Sequence, residues 1–370
     1  MVYLIGIIIS AFLSFLLLTK KNKSIADKIL FIWLFVTTLH LTIFAFKATE
    51  RHFQIPHLLG IEILLPLVHG PFLFLYITAF SVRPLKISYS LLHFIPFVLA
   101  VLLALPFLLL DIDAKILVYQ NDGRPFQIHR NIIFIATLLS GTTYCLLSLY
   151  RLYRHKKKVK DIFSYTEKID LQWLFYLTVG LSGIWMVSFF AADKYTFISV
   201  VLYVLFIGYY GIKQVGIFTN QQAVVQEPAI PEPSIGIKVL DETPPENVKY
   251  ENSSLSEKQI QQIHTNLHQL MQREKPHCTP GLTLPDLAKQ LNVHPNTLSQ
   301  VINSVEQKNF FDYINTLRVE EFKTRAVKTE NQKYTMLSLA YECGFNSKTS
   351  FNRNFRNITG QSPTEYLKHV

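Results

Sequence analysis

Cysteine is nearly absent. The three in 370 residues, Cys145, Cys278 and Cys343, are too few and too scattered for a disulfide framework, and none stands in a C-x-x-C pair or with a histidine at metal-ligand spacing. Also missing are G-x-G-x-x-G, G-x-x-x-x-G-K-S/T and H-E-x-x-H, as is any His/Asp pair in a phosphotransfer context. These absences speak against zinc and redox chemistry and against motif-bearing dinucleotide, nucleotide or metalloprotease enzymes, so no catalytic residue, metal or cofactor is expected. Charge is sparse, at 17% Asp, Glu, Lys and Arg, while hydrophobic residues reach 49% and mean hydropathy is +0.23, high for a soluble chain of this length. The net charge of +10 is uneven: residues 1–213 carry +10, residues 214–254 carry −4 and the remainder +4. Much of the high pI therefore comes from loops between apolar blocks, and net charge by itself does not mark a nucleic-acid binder.

What the chain has instead is long apolar stretches. A bilayer core about 30 Å thick takes roughly 20 apolar residues per helix, because lipid cannot satisfy backbone polar groups and the helix must do so itself. Seven stretches qualify: 2–18, 29–46, 57–80, 91–110, 131–150, 171–190 and 195–212. The first lacks a basic leader and carries its lysines, Lys20, Lys21 and Lys23, after the apolar run, so it reads as a span rather than a signal peptide. An odd number of spans puts the two termini on opposite sides. With the N-terminus outside, fourteen Lys and Arg fall in inner loops and six in outer ones, and the longest outer loop also holds Asp111, Asp113 and Asp122. Since basic residues accumulate in cytoplasmic loops, the C-terminal part is expected in the cytoplasm of a multi-pass protein of the cell membrane. The run R-L-Y-R-H-K-K-K-V-K, from Arg151 to Lys160, is read as topology and attraction to anionic headgroups rather than as a nucleic-acid patch.

Within the third stretch, Glu62 and His69 are seven residues apart and so share a helical face, with Pro66 and Pro71 expected to distort the helix. An ionisable residue at that depth costs roughly 2.5–3.5 kcal/mol on insertion scales and faces the bundle interior. A ligand pocket or signal-responsive kink is one reading; an interhelical hydrogen bond or an interfacial carboxylate is the other. His40 and His93 lie near span ends, where reaching water is easy, and receive no role.

Residues 214–254 are acidic and proline-rich, with Q-E-P-A-I-P-E-P-S and D-E-T-P-P-E-N and no amphipathic face. Such a segment cannot bury enough apolar surface to offset chain entropy and is expected to be a disordered tether, cut first by proteases. Helical periodicity returns from residue 255. Leu284, Leu287, Ala288 and Leu291 form one apolar face, with Thr283 and Asp286 as an N-cap pair. After the turn Asn292-Val293-His294, Pro295 opens a second helix that buries Leu298, Val301 and Ile302 and presents Asn296, Thr297, Ser299, Gln300 and Asn303. This is helix, turn, helix, with small polar groups able to meet base edges. It recurs fifty-two residues later, Ala288 corresponding to Ala340 and Val293 to Phe345. There Met336, Leu339, Ala340 and Cys343 face inward, Gly344 makes the turn and Ser347 caps a helix. That helix buries Phe351, Phe355 and Ile358 and exposes Lys348, Thr349, Asn352, Arg353 and Arg356. A long helix over 310–327 joins the copies, and Ser362-Pro363-Thr364-Glu365 opens the last one.

The stretches L-x-x-L-A-x-x-L-N-V-H-P-N-T-L-S-Q-V-I-N, N-F-F-D-Y-I-N-x-L-R-V-E and A-Y-E-C-G-F-N-S-K-T-S-F-N-R-N-F-R-N-I-T-G-Q-S-P-T-E-Y resemble the AraC/XylS family of bacterial transcription regulators over about the last ninety residues. The resemblance implies two helix-turn-helix units, each presenting one helix to successive major grooves of double-stranded DNA. The sequence departs from the family at Gln307, where a glycine before a lysine is common. The expected whole is all-α: a seven-helix transmembrane bundle (1–213), a flexible linker (214–254) and a double helix-turn-helix DNA-binding domain (255–370). Its expected role is membrane-anchored, sequence-specific transcriptional regulation with the bundle as sensor. Expected partners are DNA, the lipid bilayer, RNA polymerase, a second copy of the chain and an unidentified small-molecule or membrane signal. A transporter or membrane enzyme with a DNA-binding tail, or a passive anchor, are the alternatives. Transport would call for paired ionisable residues in corresponding halves, and Glu62 has no counterpart in the later spans.

Overall fold

The computed structural model describes residues 2–80, 87–166, 171–213, 255–331 and 333–368. The expected linker, and Arg83, Lys86 and Lys168 of the charge count, lie outside them. The chain divides into two compact units, one from residues 1–155 and 171–224, the other from residues 156–170 and 225–370. Both are helical; among the described residues the one β-bridge is an isolated pair, Phe163 with Thr283.

In the first unit, apolar residues surround each helix, so the helices bury one side on each other and leave the other to a non-aqueous solvent. α1 (Val2–Thr19), α2 (Ile25–Ala48), α3 (Pro66–Ala79), α8 (Gln172–Phe190) and α9 (Asp193–Lys213) enclose a core that includes Leu17, Leu34, Leu73, Leu174 and Val204. Ile8, Phe12, Leu139 and Phe190 remain exposed, Phe190 at 74%. So large an apolar surface would be a liability in water and is what lipid requires. Small residues allow close approach: a Cβ on Gly6 would come within 2.6 Å of Val201, and one on Gly141 within 2.6 Å of the Trp185 ring. At the start of α2, Ser24 and Asp27 form a capping box, and Asp27 is paired with Lys20 at 2.8 Å.

Among the described residues, five helices are long and apolar enough to cross a bilayer: α1, α2, α8, the first 19 residues of α9 and the stretch that includes α7 (Gln127–Ile162). The other two expected spans take different forms. α5 (Ile95–Leu108) and α6 (Ile112–Gln120) are bent by 101° at a short break, where Asp111 caps α6. In the third stretch Pro66 stands at the first turn of α3, where its missing N–H costs nothing, and the chain before it is a buried turn rather than a helix. α3 has 14 residues, about 21 Å. The shared helical face of Glu62 and His69 is thereby overturned: Glu62 belongs to the turn.

The second unit has two small cores joined by α13 (Phe310–Ala326). The first gathers Leu267 of α10 (Glu257–Arg273), Leu287 of α11 (Leu284–Gln290), Leu298 and Ile302 of α12 (Pro295–Val305), and Phe310 and Ile314 of α13. The second gathers Val319 and Phe322 from the far end of α13, Leu339 and Ala340 of α14 (Met336–Glu342), Phe345, and Phe351 and Phe355 of α15 (Lys348–Thr359). The fifty-two-residue repeat extends to the backbone. Asn292 and Gly344 both take left-handed conformations, φ 52° and 90°, and Val293 N–H bonds Ala288 C=O as Phe345 N–H bonds Ala340 C=O, at 3.0 and 3.2 Å. Gln307 also has positive φ, 53°, at the position where a glycine would meet no steric cost.

Candidate nucleic-acid interface and bundle cavity

α12 and α15 are each the second member of a helix pair, with the buried stripe that the periodicity predicts. On α15, Lys348, Thr349, Asn352, Arg353 and Arg356 are all exposed on one face, and Ser347 caps the helix by accepting the Ser350 N–H at 3.1 Å. On α12, Asn296 and Gln300 are exposed, whereas Thr297 and Ser299 are half-buried and the Ser299 hydroxyl accepts from Asn303 at 3.3 Å. Both helices therefore present donors and acceptors on their outer faces, as base-edge recognition requires.

No sequence pattern announces that residues from the loop before α8 are built into this unit. Ser164, almost fully buried, donates its N–H to Leu282 C=O at 3.2 Å and its hydroxyl to the same oxygen at 2.7 Å. Its own carbonyl accepts from Asn315 Nδ2 at 3.0 Å and Arg318 Nη1 at 3.2 Å, and its hydroxyl from Arg318 Nη2 at 3.1 Å. Arg318 is 1% exposed and also donates to His277 C=O at 2.8 Å and Thr279 C=O at 3.0 Å. Burial pulls its guanidinium down to about 10, still charged at neutral pH. Two residues further on, the Thr166 hydroxyl accepts from Arg353 Nη2 at 3.1 Å, so the central arginine of α15 is held by this strap. Lys157 and Lys160 share a surface depression with Asn303 and Lys308, which adds ammonium groups beside the end of α12.

His277 is buried and has an unpartnered Nδ1, and burial lowers its pKa to about 4. The Cys343 thiol, also buried, is raised to about 12 and is unreactive at neutral pH.

The first unit encloses a cavity of about 350 Å³, walled by α2, α3, α7, α8 and α9. Glu62 and His69 both line it, yet each is already engaged. Glu62 accepts from the Tyr119 hydroxyl through Oε1 and from Gly60 N–H through Oε2 at 2.9 Å. His69 Nδ1 accepts from Trp33 Nε1 at 3.1 Å, and its Nε2 lies 3.0 Å from His40 Nδ1. His40, a residue to which the sequence assigned nothing, thus ends a side-chain relay at the cavity wall.

Among the described residues no group of three or more His, Cys, Asp and Glu could hold a metal ion. Residues 287–369 match the family model described as a helix-turn-helix domain. Comparisons with curated proteins and with solved structures give no match. The chain thus carries a C-terminal helix-turn-helix domain, a non-catalytic regulatory domain, together with an N-terminal region of several apolar helices suited to a membrane.

Proposed function

We propose that the chain is a membrane-anchored, sequence-specific transcriptional regulator of the AraC/XylS type, whose bundle senses a signal and biases DNA binding. The observation that carries this reading is the repeated helix pair, with a polar or basic second helix in each copy, inside the stretch that matches the helix-turn-helix model. α12 would enter one major groove through Asn296, Thr297, Ser299 and Gln300. α15 would enter the next through Lys348, Thr349, Asn352, Arg353 and Arg356, about 34 Å away along one DNA face. Lys157, Lys160 and Lys308 would add phosphate contacts.

If the bent α5–α6 pair and the short α3 count as crossings, the spans number seven and the N-terminus lies outside. The turn before α3 supports this count, because irregular backbone is tolerated at membrane depth where protein buries it, and Leu59, Leu64 and Leu65 are all buried. Sensing would reach the DNA-binding face through the strap, since Ser164 and Thr166 lie in sequence between α7 and α8 and bond Arg318 and Arg353. RNA polymerase and a second copy of the chain are partners in this reading. Mapping the chromosomal sites occupied by the full-length protein tests it: a shared motif with two half-sites one helical turn apart is expected, and occupancy without any motif would refute sequence-specific regulation.

A further inference from the structure

Buried polar groups almost always find hydrogen-bond partners, and an unpaired one calls for an explanation. Among the described residues, four buried polar atoms without partners belong to residues lining this cavity: His40 Nε2, Thr137 Oγ1, Trp185 Nε1 and Tyr203 Oη. Their roles can be assigned. Indole N–H only donates, so Trp33 fixes His69 Nδ1 as an acceptor; a neutral His69 then carries its proton on Nε2 and gives it to His40 Nδ1. A neutral His40 must therefore hold its own proton on Nε2, the unpartnered atom. Trp185 Nε1 is likewise a donor, and the Thr137 and Tyr203 hydroxyls donate or accept. The remaining walls are mostly apolar and include Phe44, Phe134 and Phe197. Lys47 and Asp193, which also line the cavity, are paired with each other at 3.4 Å, and Arg130, a further lining residue, donates through Nη1 to Asp122 C=O at 3.0 Å.

The geometry points to a binding site for an uncharged, lipid-soluble molecule with an apolar, largely flat body and at least one oxygen acceptor, such as a carbonyl, received by His40 or Trp185. A cavity of about 150 Å³ accommodates benzene, so this one suits on the order of a dozen heavy atoms. The site deepens the sensing part of the proposed function and rests on that reading only for its effect on DNA.

The test uses the purified full-length chain in lipid nanodiscs and three probes of equal heavy-atom number: 2-acetylnaphthalene, 2-isopropylnaphthalene and 2-naphthoate. Calorimetry should show the ketone binding saturably and about tenfold more tightly than its oxygen-free isostere. His40→Phe and Trp185→Phe should each be tried, and at least one should weaken the ketone about fivefold while leaving the isostere unchanged; no loss in either overturns the proposal. Equal binding of ketone and isostere would identify a void that any lipid tail could fill, and tighter binding of naphthoate would identify an anion site; either overturns the proposal. No binding of any probe overturns it as well. A parallel measurement of operator affinity separates the two levels: ketone binding with unchanged DNA affinity supports the site and counts against the sensing reading.

Discussion

Arg353 stands mid-face on α15, exposed yet bonded to Thr166, while Arg356 lies a turn further along with no hydrogen bond to the strap among the described residues. If Arg353 reads guanine O6 and N7, Arg353→Ala should cost about 1–3 kcal/mol on the cognate site and relax preference at one base pair. Arg356→Ala should instead weaken all sequences alike and lower the salt slope by about one. Fluorescence anisotropy across a set of single-base operator variants distinguishes the two, and uniform weakening by Arg353→Ala would remove it from base readout. His277 supports a second expectation. Burial is the main cause of its lowered pKa, with the Arg318 charge adding to it and Glu321 opposing it. The folded state therefore binds a proton less readily than the unfolded state. The stability this confers is complete above the unfolded value near 6.5, is lost as pH falls toward 4, and amounts to about 3 kcal/mol. Urea midpoints of the 255–370 fragment saturated with a peptide of residues 156–166 should drop over that window, and His277→Gln should flatten the drop. At this scale the sequence was only partly legible. The α15 face followed from spacing, because period 3.6 determines which residues share a side. The buried relay did not, because partners such as Trp33 and His69 are thirty-six residues apart and no local pattern announces them.

Elements with strong local signals were the easiest to read. The linking helix expected over 310–327 runs Phe310–Ala326, and the caps at Thr283, Ser347 and Ser362 each engage the backbone N–H three residues on. Helices in lipid lack an amphipathic stripe, so their ends are poorly marked, and α3 and α5 came out shorter than their apolar runs. The strap was the least legible element. Its residues are ordinary, and its role depends on Arg318, whose buried guanidinium finds carbonyls on His277, Thr279 and Ser164. A fragment of residues 255–370 lacks Ser164 and exposes that guanidinium, Asn315 and Leu282 C=O to water. A synthetic peptide of residues 156–166 should therefore bind the fragment and raise its melting temperature by several degrees, an effect that scales with occupancy of the site. A peptide carrying Ser164→Pro, which has no N–H for Leu282 and no hydroxyl for Arg318, should do neither. Equal stabilisation by both peptides would mean that the strap bonds contribute nothing.

For the molecule as a whole, the two compact units follow from two different solvents. Apolar residues on every side of α1, α2 and α8 suit lipid, whereas the striped helices α12 and α15 bury one face and offer the other to water or DNA. The second unit includes residues 156–170, the end of α7 and the loop that follows it, as well as residues 225–370. In the proposed reading the loop and the C-terminal helices share one side of the membrane. The proposed reading takes that side as the cytoplasm, because the run Arg151–Lys160 has six of the fourteen basic residues counted inside and translocating them would oppose the positive-inside bias. In that reading the loop around Gly123, with Asp111, Asp113 and Asp122, would lie on the opposite side, separated from it by α7. A reporter active only outside the cytoplasm should be active when fused after Gly123 and silent after Lys158. The reverse pattern would place α12 and α15 away from any chromosome and defeat the regulatory reading, whereas activity at both sites would mean that α7 does not cross.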